Sequence, residues 1–175
     1  MAQAAKPAKK ASSKKALTKK APVKKAAKAA VRKKDNEKGA IGIKYSDKSA
    51  GQPHLVPIFE EIKKLLRAYA KGNLVVRGGD GGQVAVVNET ELIIHGKKRK
   101  EFWFAAALIQ KGYVGFYFMP VYVCEPRKDS IANELMKTLK GKSCFHITKN
   151  DPLIMAQIKD ALKLGYEDYK QRGWV

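Results

Sequence analysis

The sequence predicts an α+β fold: an antiparallel β-meander sheet packed with N- and C-terminal helices, preceded by a disordered basic tail. Three observations predict it. Apolar residues recur at helical spacing over residues 57–69 and again after Asp151. Between these segments lie β-branched and aromatic runs punctuated by glycine. Residues 1–34 hold 13 Lys/Arg, no carboxylate and no aromatic.

In chain order, residues 57–69 place Ile58, Ile62, Leu65, Leu66 and Tyr69 on one helical face, with Glu60, Glu61, Lys63, Lys64 and Arg67 opposite. Pro57 suits a first helical turn, and Lys71-Gly72-Asn73 ends the helix. Residues 74–77, 84–87 and 92–95 are short strand candidates, the first two joined by the flexible turn Gly78-Gly79-Asp80-Gly81-Gly82. Gly96-Lys97-Lys98-Arg99-Lys100 reads as a tight basic turn. Two long strands follow, 102–110 and 113–123, with Lys111-Gly112 between them. Asp129 or Ser130 is placed to cap a helix bearing Ile131, Leu135 and Leu139, ended by Lys140-Gly141-Lys142. Residues 143–148 read as a strand, and Asp151-Pro152 opens a last helix with Ile154, Ile158, Ala161 and Leu162 as its stripe.

Alternation along the two long strands leaves both faces apolar. Tyr113, Tyr117, Met119 and Val121 oppose Val114, Phe116, Phe118 and Tyr122; Phe102, Phe104 and Leu108 oppose Trp103, Ala107 and Ile109. Either helices cover both faces in a two-sided core, the simpler expectation, or one face is open to a ligand or partner. In the open case Trp103, Tyr117 and Arg127 would line a pocket, and Trp103 with the tyrosines would offer a base-stacking platform.

The 175 residues carry a net charge of +20. Residues 1–34 supply +13 of it, residues 35–50 balance, and 51–175 add +7. The division expected is a disordered Lys/Ala/Pro-rich tail at 1–34, a linker at 35–53 and a folded domain at 54–175. The tail has only Leu17, Val23 and Val31 as larger apolar groups. It cannot offset ordering costs of roughly 1–2 kcal/mol per residue. Its lysine pairs, Lys9-Lys10, Lys14-Lys15, Lys19-Lys20, Lys24-Lys25 and Lys33-Lys34, suit DNA or RNA backbone. Lysine is a point charge, which favours phosphate contact over base readout. Lys97, Lys98, Arg99 and Lys100 are secondary candidates for such contacts. No apolar run of 18 residues marks a membrane span and no secretory signal is evident, so a cytoplasmic location is expected, nucleoid-associated if the source is bacterial.

The tail's composition resembles the lysine-rich tails of linker histones and histone-like bacterial proteins. Over about residues 55–175, Phe102-Trp103-Phe104-Ala105-Ala106 and the stretch from Lys111 to Pro120 resemble the YdhG-like domain of unknown function. So does the stretch from Leu139 to Ile147 with the Asp-Pro helix after it. The resemblance implies a small α+β fold with an antiparallel sheet and no established enzymatic activity. Some relatives have been proposed as iron-delivery proteins. The Trp-Gly-Met-Pro-like stretch common among them is absent here.

Chemical motifs are scarce. Gly141-Lys142-Ser143 lacks the glycine a phosphate loop needs five residues earlier, where Met136 stands. His54, His95 and His146 form no short-spaced ligand pair, and Cys124 and Cys144 form no CxxC. Cys124 and His146 would make a thiol–imidazole pair only by meeting across the sheet. Glu60-Glu61 is the main carboxylate pair, on the solvent face of a helix. The expectation is a non-enzymatic protein without cofactor or metal. The competing reading is a small-ligand or iron carrier whose tail only tethers or solubilises it.

Overall fold

A computed structural model describes residues 47–124 and 127–175 of the chain. The tail, with its ten paired lysines, lies outside the described residues. Of the stretch read as a linker, residues 47–53 are described, and they are tied to one end of the sheet. The Lys48 amide donates to the Gly81 carbonyl at 2.8 Å, and the Gly112 amide donates to Gln52 Oε1 at 2.6 Å.

A 3-10 turn at Pro53–Leu55 leads into helix α1, Val56–Arg67. Ile58, Phe59, Ile62 and Leu66 are buried there. Leu65 and Tyr69 pack only partly, because the buried stripe is turned toward Phe59. Strands β1 (Leu74–Gly78) and β2 (Gln83–Asn88) follow, then β3 (Leu92–Ile94), β4 (Lys97–Arg99), β5 (Phe102–Gln110) and β6 (Tyr113–Phe118). Helices α2 (Pro120–Val123) and α3 (Asn133–Lys137) precede β7 (Leu139–Lys140), β8 (Cys144–Ile147) and α4 (Pro152–Gln171). Six strands form one sheet in the order β1-β2-β5-β6-β8-β7, each neighbouring pair antiparallel. The fold is therefore α+β. The meander is interrupted: β3 and β4 leave the sheet as a separate hairpin, and β7 returns outside β8.

Four expectations are corrected. First, the basic segment is a strand rather than a turn. The reversal falls at His95 and Gly96, with φ of 49° and 72°, and both values belong to a tight hairpin loop. Lys97, Lys98 and Arg99 then pair with Ile94, Ile93 and Leu92. Exposed, charged β4 behaves as a guarded sheet edge. Second, the strand from Tyr113 stops at Phe118. Pro120 has no N–H for a ladder, and it opens α2 instead.

Third, the helix expected from Asp129 or Ser130 starts later. Those residues lie in a 3-10 turn, and α3 begins at Asn133. Ala132 offers no side-chain cap; Gln157 of α4 accepts from the Leu135 amide at 2.8 Å instead. Leu139 and Lys140, read as the helix end, are strand β7. Fourth, the register of β5 shifts between Val86 and Val87, so Phe104 is an extra residue. Phe102, Phe104, Ala105, Ala107 and Ile109 join the main core. Trp103, Ala106 and Leu108 take the opposite side, since Trp103 pairs Val87, Ala106 pairs Ala85 and Leu108 pairs Gln83.

The helices gather on one face. There α1 and α4 pack on Val84, Val86, Phe104, Phe116, Phe118 and Phe145. Asp151 caps α4 by accepting from the Leu153 amide at 2.9 Å, and Pro152 fills its first turn. Fully buried Tyr169 meets Phe102, Phe104 and Trp174, with ring centroids 5.2–5.3 Å apart. The other face carries a separate cluster made of strand residues alone: buried Ala85, Val87 and Ala106, flanked by half-buried Val75, Trp103 and Tyr117. The two-sided core is thus replaced by one helix-covered face and one face built only from strands, among the described residues.

Candidate functional site

The β3–β4 hairpin overhangs the start of β5 and the end of α2. Between them lies a cleft of about 690 Å³. Its walls are Ile94, His95, Lys97 and Arg99 of the hairpin, Glu101 to Trp103, Met119, Tyr122 and Val123, and Arg172 after α4. Cross-strand pairing decides which cations reach it. Lys97 sits opposite buried Ile94 and Arg99 opposite Leu92, so both point inward, while Lys98 sits opposite exposed Ile93. Lys98 instead makes an exposed ion pair with Glu91 at 3.0 Å. Lys100 is also exposed, in the turn after β4.

The cleft's electrostatics are one-sided. Among the described lining residues Glu101 is the only carboxylate, and that group is already engaged. Arg77 forms an ion pair with it, and Trp103 Nε1 donates to it at 2.7 Å. Among the described residues no ion pair neutralises Lys97, Arg99 or Arg172, which face aromatic walls. Arg172 also stands 5.2 Å from the Trp174 ring, and Lys142 stands 5.2 Å from the Tyr122 ring. Such contacts hold a cation over a π face at about 0.5–1 kcal/mol when exposed. The arrangement suits an anion with a planar group.

The pocket residues singled out from sequence divide. Trp103 lines the cleft. Tyr117 packs against the same strand cluster as Trp103 but stands outside the cleft. The side chain of Arg127 lies outside the described residues. Tyr122, His95 and Arg172 were missed. Arg172 is some 70 positions from the hairpin it faces, and no spacing rule connects the two.

The remaining candidates separate as well. Cys124 is buried in the main core, whereas His146 stacks on Tyr113 on the opposite face, with centroids 3.7 Å apart and planes at 13°. The thiol–imidazole pair is not assembled. Burial pushes the Cys144 thiol above its ordinary range, with a hydrogen bond from Tyr117 acting the other way. Gly141-Lys142-Ser143 joins two strands and opens no helix, so it makes no phosphate loop. The glycine turn at 78–82 has positive φ at Gly78, Gly79, Gly81 and Gly82, and is a hairpin connection. Among the described residues no group of three or more His, Cys, Asp or Glu is placed to hold a metal ion. No described helix is long and apolar enough to cross a membrane.

Fold and site together define an α+β domain with a six-stranded antiparallel sheet and a cationic, aromatic-walled cleft. No family model, no curated protein and no solved structure matches the chain.

Proposed function

We propose that this is a non-enzymatic nucleic-acid-binding protein. Its lysine-rich tail grips DNA or RNA phosphates without sequence preference, and its folded domain adds contacts through the cleft. One observation carries the reading: residues 1–34 concentrate 13 cations with no anion among them. Such a density attracts a polyanion and gains free energy by releasing its counterions. The inward cations Lys97 and Arg99, with Arg172, lend a second region of the same sign. The likeness of the tail to linker-histone tails points the same way. The likeness of residues 55–175 to the YdhG-like domain adds no chemistry to this reading, and a cytoplasmic or nucleoid location would accord with it.

A salt titration of the full chain on a labelled duplex tests it. If about 6–10 lysines engage phosphates, affinity falls roughly 10³–10⁵-fold between 50 and 200 mM salt. Replacing the ten paired lysines, Lys9 to Lys34, by glutamine in the full chain should remove most of that slope. Unchanged binding by the substituted chain refutes the role of the tail. The alternative is a small-ligand or iron carrier with a tethering tail; its iron form needs a donor cluster, and among the described residues no group of three or more His, Cys, Asp or Glu is placed to hold a metal ion.

A further inference from the structure

The strand-only face of the sheet has an order of its own. Register places Arg77, Ala85, Ala106, Tyr117, Cys144 and Lys140 in one row across it, with Gly115 and His146 in the next. Small residues in the middle let a large ring lie down. A Cβ built on Gly115 would stand 3.0 Å from Tyr117 Cε2, so that ring lies over the glycine. Tyr113 rests face to face on His146. Both tyrosines are held by one amide: Tyr113 donates to Gln110 Oε1, and Gln110 Nε2 donates to the Tyr117 hydroxyl at 2.5 Å.

These rings are half-buried and fixed in orientation, and Tyr113 and Tyr117 lie four residues apart on one strand, about 13 Å along it. Charge on this face is mixed at the β1 edge, where Arg77 pairs with Glu89 and Glu101, and basic toward the β7 edge, where Lys140 stands. Residues 102–124 and 135–150 contain Lys111, Lys137, Lys140, Lys142 and Lys149 and no Asp or Glu. Flat, immobilised π faces bordered by lysines suit a ligand that offers planar bases and phosphates together. A duplex hides its base faces within the stack; an unpaired strand presents them.

We propose that this face stacks the bases of single-stranded nucleic acid, with Tyr117 as one platform, the Tyr113–His146 stack as the next, and Lys140 among the phosphate contacts. The proposal rests on the polyanion-binding reading above and sharpens it to unpaired strands.

Fluorescence anisotropy of the full chain with oligo(dT), oligo(U) and a duplex of equal length tests it. Tighter binding to either single strand than to the duplex is expected, and the two single strands separate deoxyribose from ribose preference. Tyr117→Leu should weaken single-strand binding by about tenfold and leave duplex binding unchanged. Tyr117→Phe, which keeps the ring, should bind as the parent does. Equal affinity for single strand and duplex, or an unaffected Tyr117→Leu variant, overturns stacking and leaves the phosphate reading standing. Absence of binding to every probe at low salt overturns both. Should Tyr117→Leu fail to fold, photocrosslinking of 4-thiouridine-labelled oligo(U) to the parent chain decides. Crosslinks within residues 113–117 support the proposal, and crosslinks confined to residues 1–46 overturn it.

Discussion

The Tyr169 hydroxyl donates to the main-chain oxygen of Trp103 at 3.0 Å, tying the last helix to the central strand through a fully buried ring. That one bond joins the helix-covered core to the strand on which Trp103 faces the cleft. Tyr169→Phe keeps the ring packing and deletes the donor. It should cost about 1 kcal/mol in urea unfolding, whereas Tyr169→Ala should cost about 3–5 kcal/mol.

The same hydroxyl makes stability fall at high pH. Burial holds Tyr169 well above the usual tyrosine range, with nearby Cys124 adding to the effect and Arg172 opposing it. In the unfolded chain the phenol loses its proton near pH 10, while the folded state keeps it. The unfolded state therefore binds fewer protons above that pH. Stability intact below pH 10 should drop by up to about 1.4 kcal/mol per pH unit until the folded group titrates. Tyr169→Phe should lack this part of the alkaline loss in melts at pH 9 to 11.

Gly165 gives a prediction whose sign is set by space. In an exposed helix Gly→Ala gains about 1 kcal/mol. Here a Cβ would lie 2.5 Å from Phe118 Cζ and 2.7 Å from Pro120 Cγ. Both neighbours are buried, so neither ring moves aside without disturbing the core. Gly165→Ala should destabilise by about 1–3 kcal/mol in thermal or urea unfolding.

Much of this architecture is legible in the sequence, for reasons that differ along the chain. The stripe of α1 and the Asp-Pro opening of α4 are local signals, and both helices form where those signals stand. The charged residues 97–99 hide a strand because lysine-rich edges look like loops. The phase of β5 is illegible because nothing local announces that Phe104 is inserted. Its ring is drawn into the core by Tyr69, Phe118 and Tyr169, all distant in sequence. The cleft is assembled by the same kind of long-range contact, through Arg172. The Tyr113–Gly115–Tyr117 alternation was available in the sequence, and its meaning emerges only once the opposite face is seen to hold the helices.

The cleft predicts unequal effects from neighbouring cations. Lys97→Gln and Arg99→Gln should each reduce the salt slope of duplex binding by about 0.9 if each meets one phosphate. Lys98→Gln, on the outer side of the hairpin and paired to Glu91, should change it little. Equal effects at all three positions would show that hairpin orientation does not matter to binding.

His95 sits at φ 49°, a conformation that asparagine tolerates better than histidine. His95→Asn should stabilise the β3–β4 hairpin by a few tenths of a kcal/mol, to about 1 at most. Slower amide exchange at residues 92–99 would report it.

The extra residue at Phe104 gives β5 a phase slip. Tolerance to polar replacement should alternate along the strand, but the beat reverses at residue 104: sensitive positions fall on even numbers through Phe104 and on odd numbers from Ala105 to Ile109. A saturation screen of this strand would resemble two short strands spliced out of step. Deleting the one surplus residue would restore an unbroken beat, with Trp103 still facing away from the helices and Ala105 still facing them.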